Sequence, residues 1–240
     1  MPTVVVLTIA AIVLVHIVRT MVLSLEADDA FLRYFAFSPE RYEPQSEWTI
    51  PWLGGWPAQI WTFVTYALIH GDWTHLGLNA VWLLAFGSAV ARRFGAARYL
   101  AFFAITAAAG VALHLAAHVG DVWPVVGASA AISGFMAAAI RFIFQAGGPL
   151  GLMGANDEAS YRMPADPLLV CLRDPRVLVF LIVWFGLNLL LGLTTLPFVG
   201  EGQSIAWQAH IGGFLAGLLL FPLFDPVKRR PLGAEDQFLR

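Results

Sequence analysis

Charge is scarce in this chain. Of 240 residues only 12% are Asp, Glu, Lys or Arg, while 59% are hydrophobic and the mean hydropathy is +0.72. An ordinary globular chain is roughly 25% charged and 45–50% apolar. With 14 basic and 16 acidic side chains, a soluble protein of this size could not cover its surface. Disorder is excluded by the same figures, because disordered chains are poor in apolar residues. Cysteine is nearly absent, and the single Cys171 rules out an intramolecular disulfide framework and a Cys-based zinc site. A net charge of -2 gives no basic surface for nucleic acid. Neither G-x-x-x-x-G-K nor G-x-G-x-x-G occurs, so no nucleotide-binding loop is visible. What remains is an all-α polytopic membrane protein.

A helix needs about 20 mostly apolar residues to cross a roughly 30 Å hydrocarbon core. Six such windows lie near 4–25, 73–91, 97–118, 124–145, 176–196 and 204–224, organised as a single membrane domain over 1–240. The runs are continuous instead of alternating with period two, which favours helices over outer-membrane strands. The first is read as a retained span, since no Lys or Arg precedes it and the run continues to Leu25. With residue 1 inside, eleven of the 14 Lys and Arg residues fall on inner segments and only Arg19, Arg33 and Arg41 on outer ones. The positive-inside rule then places both termini in the cytoplasm, and the composition suits a multi-pass protein of the cell (inner) membrane. Trp48, Trp52, Trp56, Trp61, Trp73, Trp123 and Trp207 gather at the outer boundary, as an aromatic belt does. The outer connection 26–72, with Pro39, Pro44, Pro51 and Pro57, reads as an interfacial hairpin, and the Gly- and Pro-rich inner connection 146–175 as a flexible linker.

Polar side chains inside spans mark function more often than structure. The second span has His75 and Asn79, with His70 just before it; the fourth has Ser129 and Ser133; the sixth has His210 followed by Gly213 and Gly217. All three run from outside inward. At about 1.5 Å per residue, Ser129 is expected roughly 7–8 Å below Pro124 and His210 about 9 Å below Ser204, so the groups share one depth. A hydroxyl, an imidazole and further donors at one depth suit acyl transfer. Serine needs a base to take its proton, and the oxyanion formed on carbonyl attack needs preorganised donors. No carboxylate lies at this depth in spans two, four or six, so a dyad is expected instead of a triad.

These residues resemble the rhomboid family of intramembrane serine proteases. His70, His75 and Asn79 match its H-x4-H-x3-N, Gly127 and Ser129 its G-x-S, and Ala209, His210, Gly213 and Gly217 its A-H-x-x-G-x-x-x-G. The resemblance implies a six-helix rhomboid-like bundle. It implies Ser129 as nucleophile, His210 as base, and Asn79 and His75 as oxyanion donors together with the Ser129 N–H. His70, Gly127, Gly213 and Gly217 have supporting roles. Transmembrane proteins in the lipid bilayer are the implied substrates, with neither metal nor cofactor. The chain departs from the pattern at Ala130, where glycine often follows the serine, and at Ser133, where an aromatic residue often stands. It departs also at Trp61-Thr62, where the second residue is often Arg, and in Val90-Ala91-Arg92-Arg93, where a glutamate is common.

Competing readings follow from the same residues. Small residues around Ser129, and Gly213-x-x-x-Gly217, also serve helix packing. His114 and His118 have metalloprotease spacing, but Leu115 stands where such an enzyme needs Glu, so both read as interfacial histidines. Asn188 reads as interhelical glue. A catalytically inactive rhomboid-like protein that binds membrane clients is the alternative function. A small transporter is the third, opposed by the clustering of polar groups on one side. The topology is testable: a cysteine introduced at 150–170 is expected to react with an impermeant thiol probe only from the cytoplasm, and one at 40–50 only from outside. Reversed accessibility would refute the orientation.

Overall fold

The computed structural model describes residues 1–43, 53–151, 157–193 and 206–227. Among these, four helical stretches are long and apolar enough to cross a membrane: Thr3–Val22, Trp73–Phe94, Ala96–Ala117 and Trp207–Phe224. Two shorter apolar helices complete the bundle. Its outward faces carry exposed Leu7, Leu14, Ile105, Ile182, Leu219 and Leu223, an apolar exterior that suits lipid and not water. Trp48, Trp52, Ser204, Lys228, Arg229, Arg230 and Arg240, on which the belt, the sixth-span start and part of the charge asymmetry rest, lie outside the described residues.

Helix α1 (Thr3–Ile17) passes into a π-helical turn, Val18–Val22, and stops at the extended Leu23. The first apolar run therefore ends short of Leu25. Ser24 caps a new helix, α2 (Leu25–Phe35), accepting from the Ala27 N–H at 3.2 Å, with Glu26 and Asp28 in its first turn and Arg33 in its last, as the helix dipole favours. Helix α3 (Gly55–Thr65) packs on α2, and Trp61 Nε1–H donates to the Tyr34 carbonyl at 3.0 Å. The second span is α4 (Trp73–Trp82), a π-helical stretch Leu83–Gly87, and α5 (Ser88–Phe94), ending at Gly95 with φ +78°. Helix α6 spans Ala96–Ala117 and α7 spans Ser129–Ala139. A short α8 (Leu168–Cys171) precedes α9 (Pro175–Leu193) and α10 (Trp207–Phe224).

The fourth apolar window differs most from its expected form. The run from 124 to 145 is not one spanning helix, since only Ser129–Ala139 is α-helical and residues Ala130 to Ala139 are all buried. A helix wrapped by its neighbours meets no lipid. It need not reach both surfaces, and its hydrophobicity reflects burial alone.

Helices α6, α7 and α10 approach through glycine. A Cβ on Gly213 would lie 2.0 Å from the Ala130 carbonyl oxygen, and one on Gly217 would lie 2.3 Å from that of Gly134. A Cβ on Gly212 would meet Ala109 O at 2.7 Å, and one on Gly110 the Ala130 Cβ at 2.6 Å. One face of α10 thus lies against the α7 backbone and the next against α6. Without a hydrophobic drive between helices in lipid, such contact of backbone on backbone supplies the attraction.

At the end of the bundle away from the α2–α3 hairpin, fully buried Arg93 forms a two-pronged pair with Asp225, at 2.9 and 2.8 Å. Its remaining nitrogen donates to the Tyr161 and Met163 carbonyls, each at 2.9 Å. This guanidinium joins the end of the second span, the end of α10 and the connection before α8. The described part of that connection is therefore docked and not a loose linker. Tyr161, Ala165 and Cys171 are buried, Gln145 accepts from the Asp166 N–H at 2.9 Å, and Arg141 donates to the Asp166 carbonyl at 3.1 Å. Cys171 donates to the Ile140 carbonyl at 3.0 Å, and burial pushes its thiol up to about 11, which disfavours the reactive thiolate.

The glycine contacts give a stability test. Gly213→Ala and Gly217→Ala are each expected to destabilise the protein by at least roughly 1–3 kcal/mol, because a methyl there overlaps backbone that moves only with its helix. Gly186→Ala, where a Cβ meets nothing within 4 Å, is the control and is expected to leave the melting temperature unchanged. Equal melting temperatures for all three variants in detergent would refute the packing argument.

Candidate active site

The chain enters α7 along an extended segment whose backbone is held on several sides. Val125 exchanges two hydrogen bonds with Phe37, at 2.7 and 3.3 Å, and the Gly127 N–H donates to the Tyr66 carbonyl at 3.1 Å. The Ala128 N–H reaches His70 Nε2 at 3.5 Å, and the His70 carbonyl in turn accepts from Arg19 at 2.9 Å. Arg19 is itself buried and paired with Asp28 at 2.8 and 3.0 Å. Gly127 has φ +116°, and a Cβ on it would sit 2.7 Å from Cε1 and Nε2 of His75. Both backbone conformation and space therefore require glycine here.

Ser129 is the first residue of α7, and Ala128 before it supplies no side-chain cap. The first intrahelical bond is Ile132 N–H to Ala128 O, at 2.9 Å, so the N–H groups of Ser129, Ala130 and Ala131 have no acceptor within the helix. The sequence reading puts Ser129 roughly 7–8 Å, about one and a half turns, along a helix starting near Pro124. It stands instead at the helix start, where partial positive charge is greatest.

His210, in the first turn of α10, places Nε2 2.7 Å from Ser129 Oγ. Its Nδ1 lies 2.5 Å from Asn188 Oδ1 on α9, and the Asn188 amide nitrogen donates to the Trp184 carbonyl at 2.8 Å. Three side chains from three helices thus form one hydrogen-bonded row, and each is half-buried. Asn188 is the member that sequence reasoning assigned only to interhelical contact. Its signal was present, as the one amide in the otherwise apolar stretch from Val177 to Leu193. Ser133 is not in the row: it is buried, and its hydroxyl donates back to the Ser129 carbonyl at 2.8 Å.

His75 and Asn79 sit on α4 beside Gly127. Asp72 caps the helix by accepting from the His75 N–H at 2.8 Å. The Gly71 N–H points to His75 Nδ1 at 3.4 Å, and a backbone N–H can only donate, so the ring proton of neutral His75 belongs on Nε2. That is the atom beside Gly127. Buried Asn79 gives one amide N–H to the His75 carbonyl at 2.8 Å and retains a second. His70 lies edge-on to His75, 5.0 Å between centroids, and serves the backbone at Ala128.

The departures from the family pattern fall outside this row. The methyl of Ala130 packs into the notch left by Gly110 on α6. Beside Trp61, Thr62 is bound to the Ala58 carbonyl at 2.6 Å, and the guanidinium of this hairpin is Arg41, which donates to the Arg33 and Leu53 carbonyls at 2.6 and 3.2 Å. His114 and His118 stack 4.5 Å apart, and His118 engages Asp121 at 3.0 Å and Gln208 of α10 at 2.7 Å. They tie the end of α6 to the turn that carries His210.

A comparison with curated proteins finds no match. The family model described as the Rhomboid domain matches residues 57–225, from the start of α3 past the end of α10, which contains Asn79, Ser129, Asn188 and His210. The first span lies outside the matched range. With most of its length inside that match, and with an all-helical bundle of apolar helices around it, the chain is an integral multi-pass membrane protein and belongs to the rhomboid family.

Proposed function

We propose that the protein is an intramembrane serine endopeptidase, with Ser129 as nucleophile and His210 as general base, that cleaves membrane proteins in or near their transmembrane segments. The observation that carries this reading is the 2.7 Å approach of His210 Nε2 to Ser129 Oγ, at the uncapped start of a buried helix. In the acylation step, Ser129 Oγ adds to the scissile carbonyl carbon as its proton passes to His210 Nε2. The carbonyl oxygen becomes an oxyanion facing the Ser129 N–H, with His75 Nε2–H and the second Asn79 N–H as the further donors. The C–N bond then breaks, and the imidazolium gives its proton to the departing amine. Water adds to the acyl-enzyme with His210 again as base, releasing the acid and restoring the serine. Rhomboid family members act on transmembrane substrates, and the exposed apolar flanks of the bundle suit approach from lipid. The placement in the cell membrane with both termini cytoplasmic rests on the Lys and Arg distribution.

Labelling with a serine-reactive phosphonate tests the assignment. Ser129→Ala and His210→Ala are each expected to abolish labelling and cleavage of a transmembrane reporter. Ser133→Ala retains an adduct on Ser129. Asn79→Ala and His75→Ala each lower turnover about 10- to 1,000-fold, as loss of an oxyanion donor does. An adduct on Ser133 would overturn the choice of nucleophile. No adduct and no cleavage across a panel of transmembrane substrates would favour the client-binding alternative.

A further inference from the structure

We propose that Asn188 is the positioning residue of His210, a third member that fixes which ring nitrogen is free to accept the Ser129 proton. This rests on the protease reading for its catalytic consequence, but its structural content stands by itself.

The side chain of Asn188 is an amide. Its two ends differ: Nδ2 only donates and Oδ1 only accepts. Asn188 spans two neighbours, the Trp184 carbonyl at 2.8 Å and the His210 ring at 2.5 Å. A carbonyl oxygen only accepts, so the end turned to Trp184 is Nδ2. The end turned to His210 is then Oδ1, and an acceptor facing Nδ1 requires a proton there. In neutral imidazole the proton on Nδ1 leaves Nε2 with a lone pair, and Nε2 is the atom 2.7 Å from Ser129 Oγ. The chain Trp184 O, Asn188, His210, Ser129 is therefore polarised in one direction, with each hydrogen bond dictating the next.

Asparagine in this role is chemically sufficient only because of the Trp184 contact. In soluble serine proteases, an amide that turns its N–H to the imidazole imposes the wrong tautomer and disables the base. Here the amide cannot turn without setting Nδ2 against the ring and Oδ1 against a carbonyl. The surroundings hold it in place: Trp184 stacks on Phe214 at 4.6 Å, and Phe185 meets the same ring edge-on at 5.7 Å. Residues 184 and 188 of α9 thus face residues 214 and 210 of α10, one turn apart on antiparallel helices. The aromatic pair sets the register in which the amide meets the imidazole. A neutral amide also brings no second charge into the membrane interior, where a carboxylate would be costly.

The test combines the imidazole nitrogen NMR of the full-length protein, with His210 assigned by its loss in His210→Ala, and steady-state cleavage of the reporter. The parent is expected to show His210 protonated at Nδ1 with Nε2 bare. Asn188→Leu and Asn188→Ala are expected to lose that preference, mixing both tautomers. Their kcat falls roughly 5- to 10-fold, as for one neutral hydrogen bond, with KM unchanged. Asn188→Asp keeps an acceptor facing Nδ1 and is expected to restore the Nδ1–H tautomer and part of kcat. A parent His210 protonated at Nε2, or an Asn188→Leu spectrum with the parent's tautomer, would overturn the inference. A parent that shows the expected tautomer and loses it in Asn188→Leu, but neither cleaves nor labels, would uphold the inference and reject the protease reading.

Discussion

Everything at the site depends on α7 beginning inside the protein. A helix that starts within a bundle turns its first N–H groups away from bulk solvent, which is costly unless an acceptor meets them. The start of α7 has no side-chain cap, and the segment before it is tied to the backbones of Phe37 and Tyr66 and to the imidazole of His70. The unmet donors at Ser129 to Ala131 are what a reaction developing negative charge can use. Such an opening persists only if the helix cannot slide outward to relieve it. The glycine contacts of α10 and α6 with α7 hold it, because at those separations any shift brings backbone onto backbone.

Two buried guanidiniums hold the ends of the same assembly. Arg19 joins the first span to Asp28 and to the His70 carbonyl, and His70 supports Ala128 directly beside the serine. Arg93 joins the end of the second span to Asp225 and to the Tyr161 and Met163 carbonyls. Each is paired with a carboxylate and with backbone oxygens, the condition under which a buried charge is tolerable. In the sequence reading Arg19 figures only as a charge for orientation, and Arg93 as such a charge and within the departure Val90-Ala91-Arg92-Arg93. Their spacing to their partners, 51 residues for Arg19 to His70 and 132 for Arg93 to Asp225, leaves no local trace of the contact.

The parts of the fold legible in the sequence were those with a local cause. Long apolar runs became helices because no other backbone arrangement satisfies its own hydrogen bonds in lipid. The candidate serine, histidines and asparagine stood out because polar groups in such runs are expensive. What was not legible depended on surroundings. The run at 124–145 reads alike whether it spans the bilayer or sits inside a ring of other helices, although the positive φ of Gly127 marks the break. The role of Asn188 depends on the register of α9 against α10, which the sequence does not encode in any short window. The sequence reading expects a dyad with no Asp to orient His210; among the described residues, what lies against His210 Nδ1 is the amide of Asn188.

The positions where the chain departs from the family pattern show why it tolerates them. At Ala130 the added methyl is directed to α6, where Gly110 makes room for it; with any larger residue at 110, glycine after the serine would be the only fit. At Ser133 the side chain points to the α7 backbone one turn above, so the hydroxyl is satisfied within its own helix and does not compete for His210. The imidazole then takes its orientation from α9 instead of from a ring on α7. A stacked aromatic restricts the plane of a histidine but does not select its tautomer, whereas an oriented amide does both. Loss of one constraint on α7 is thus matched by a more specific one on α9, and the distance that matters, Nε2 to Oγ, is held at 2.7 Å.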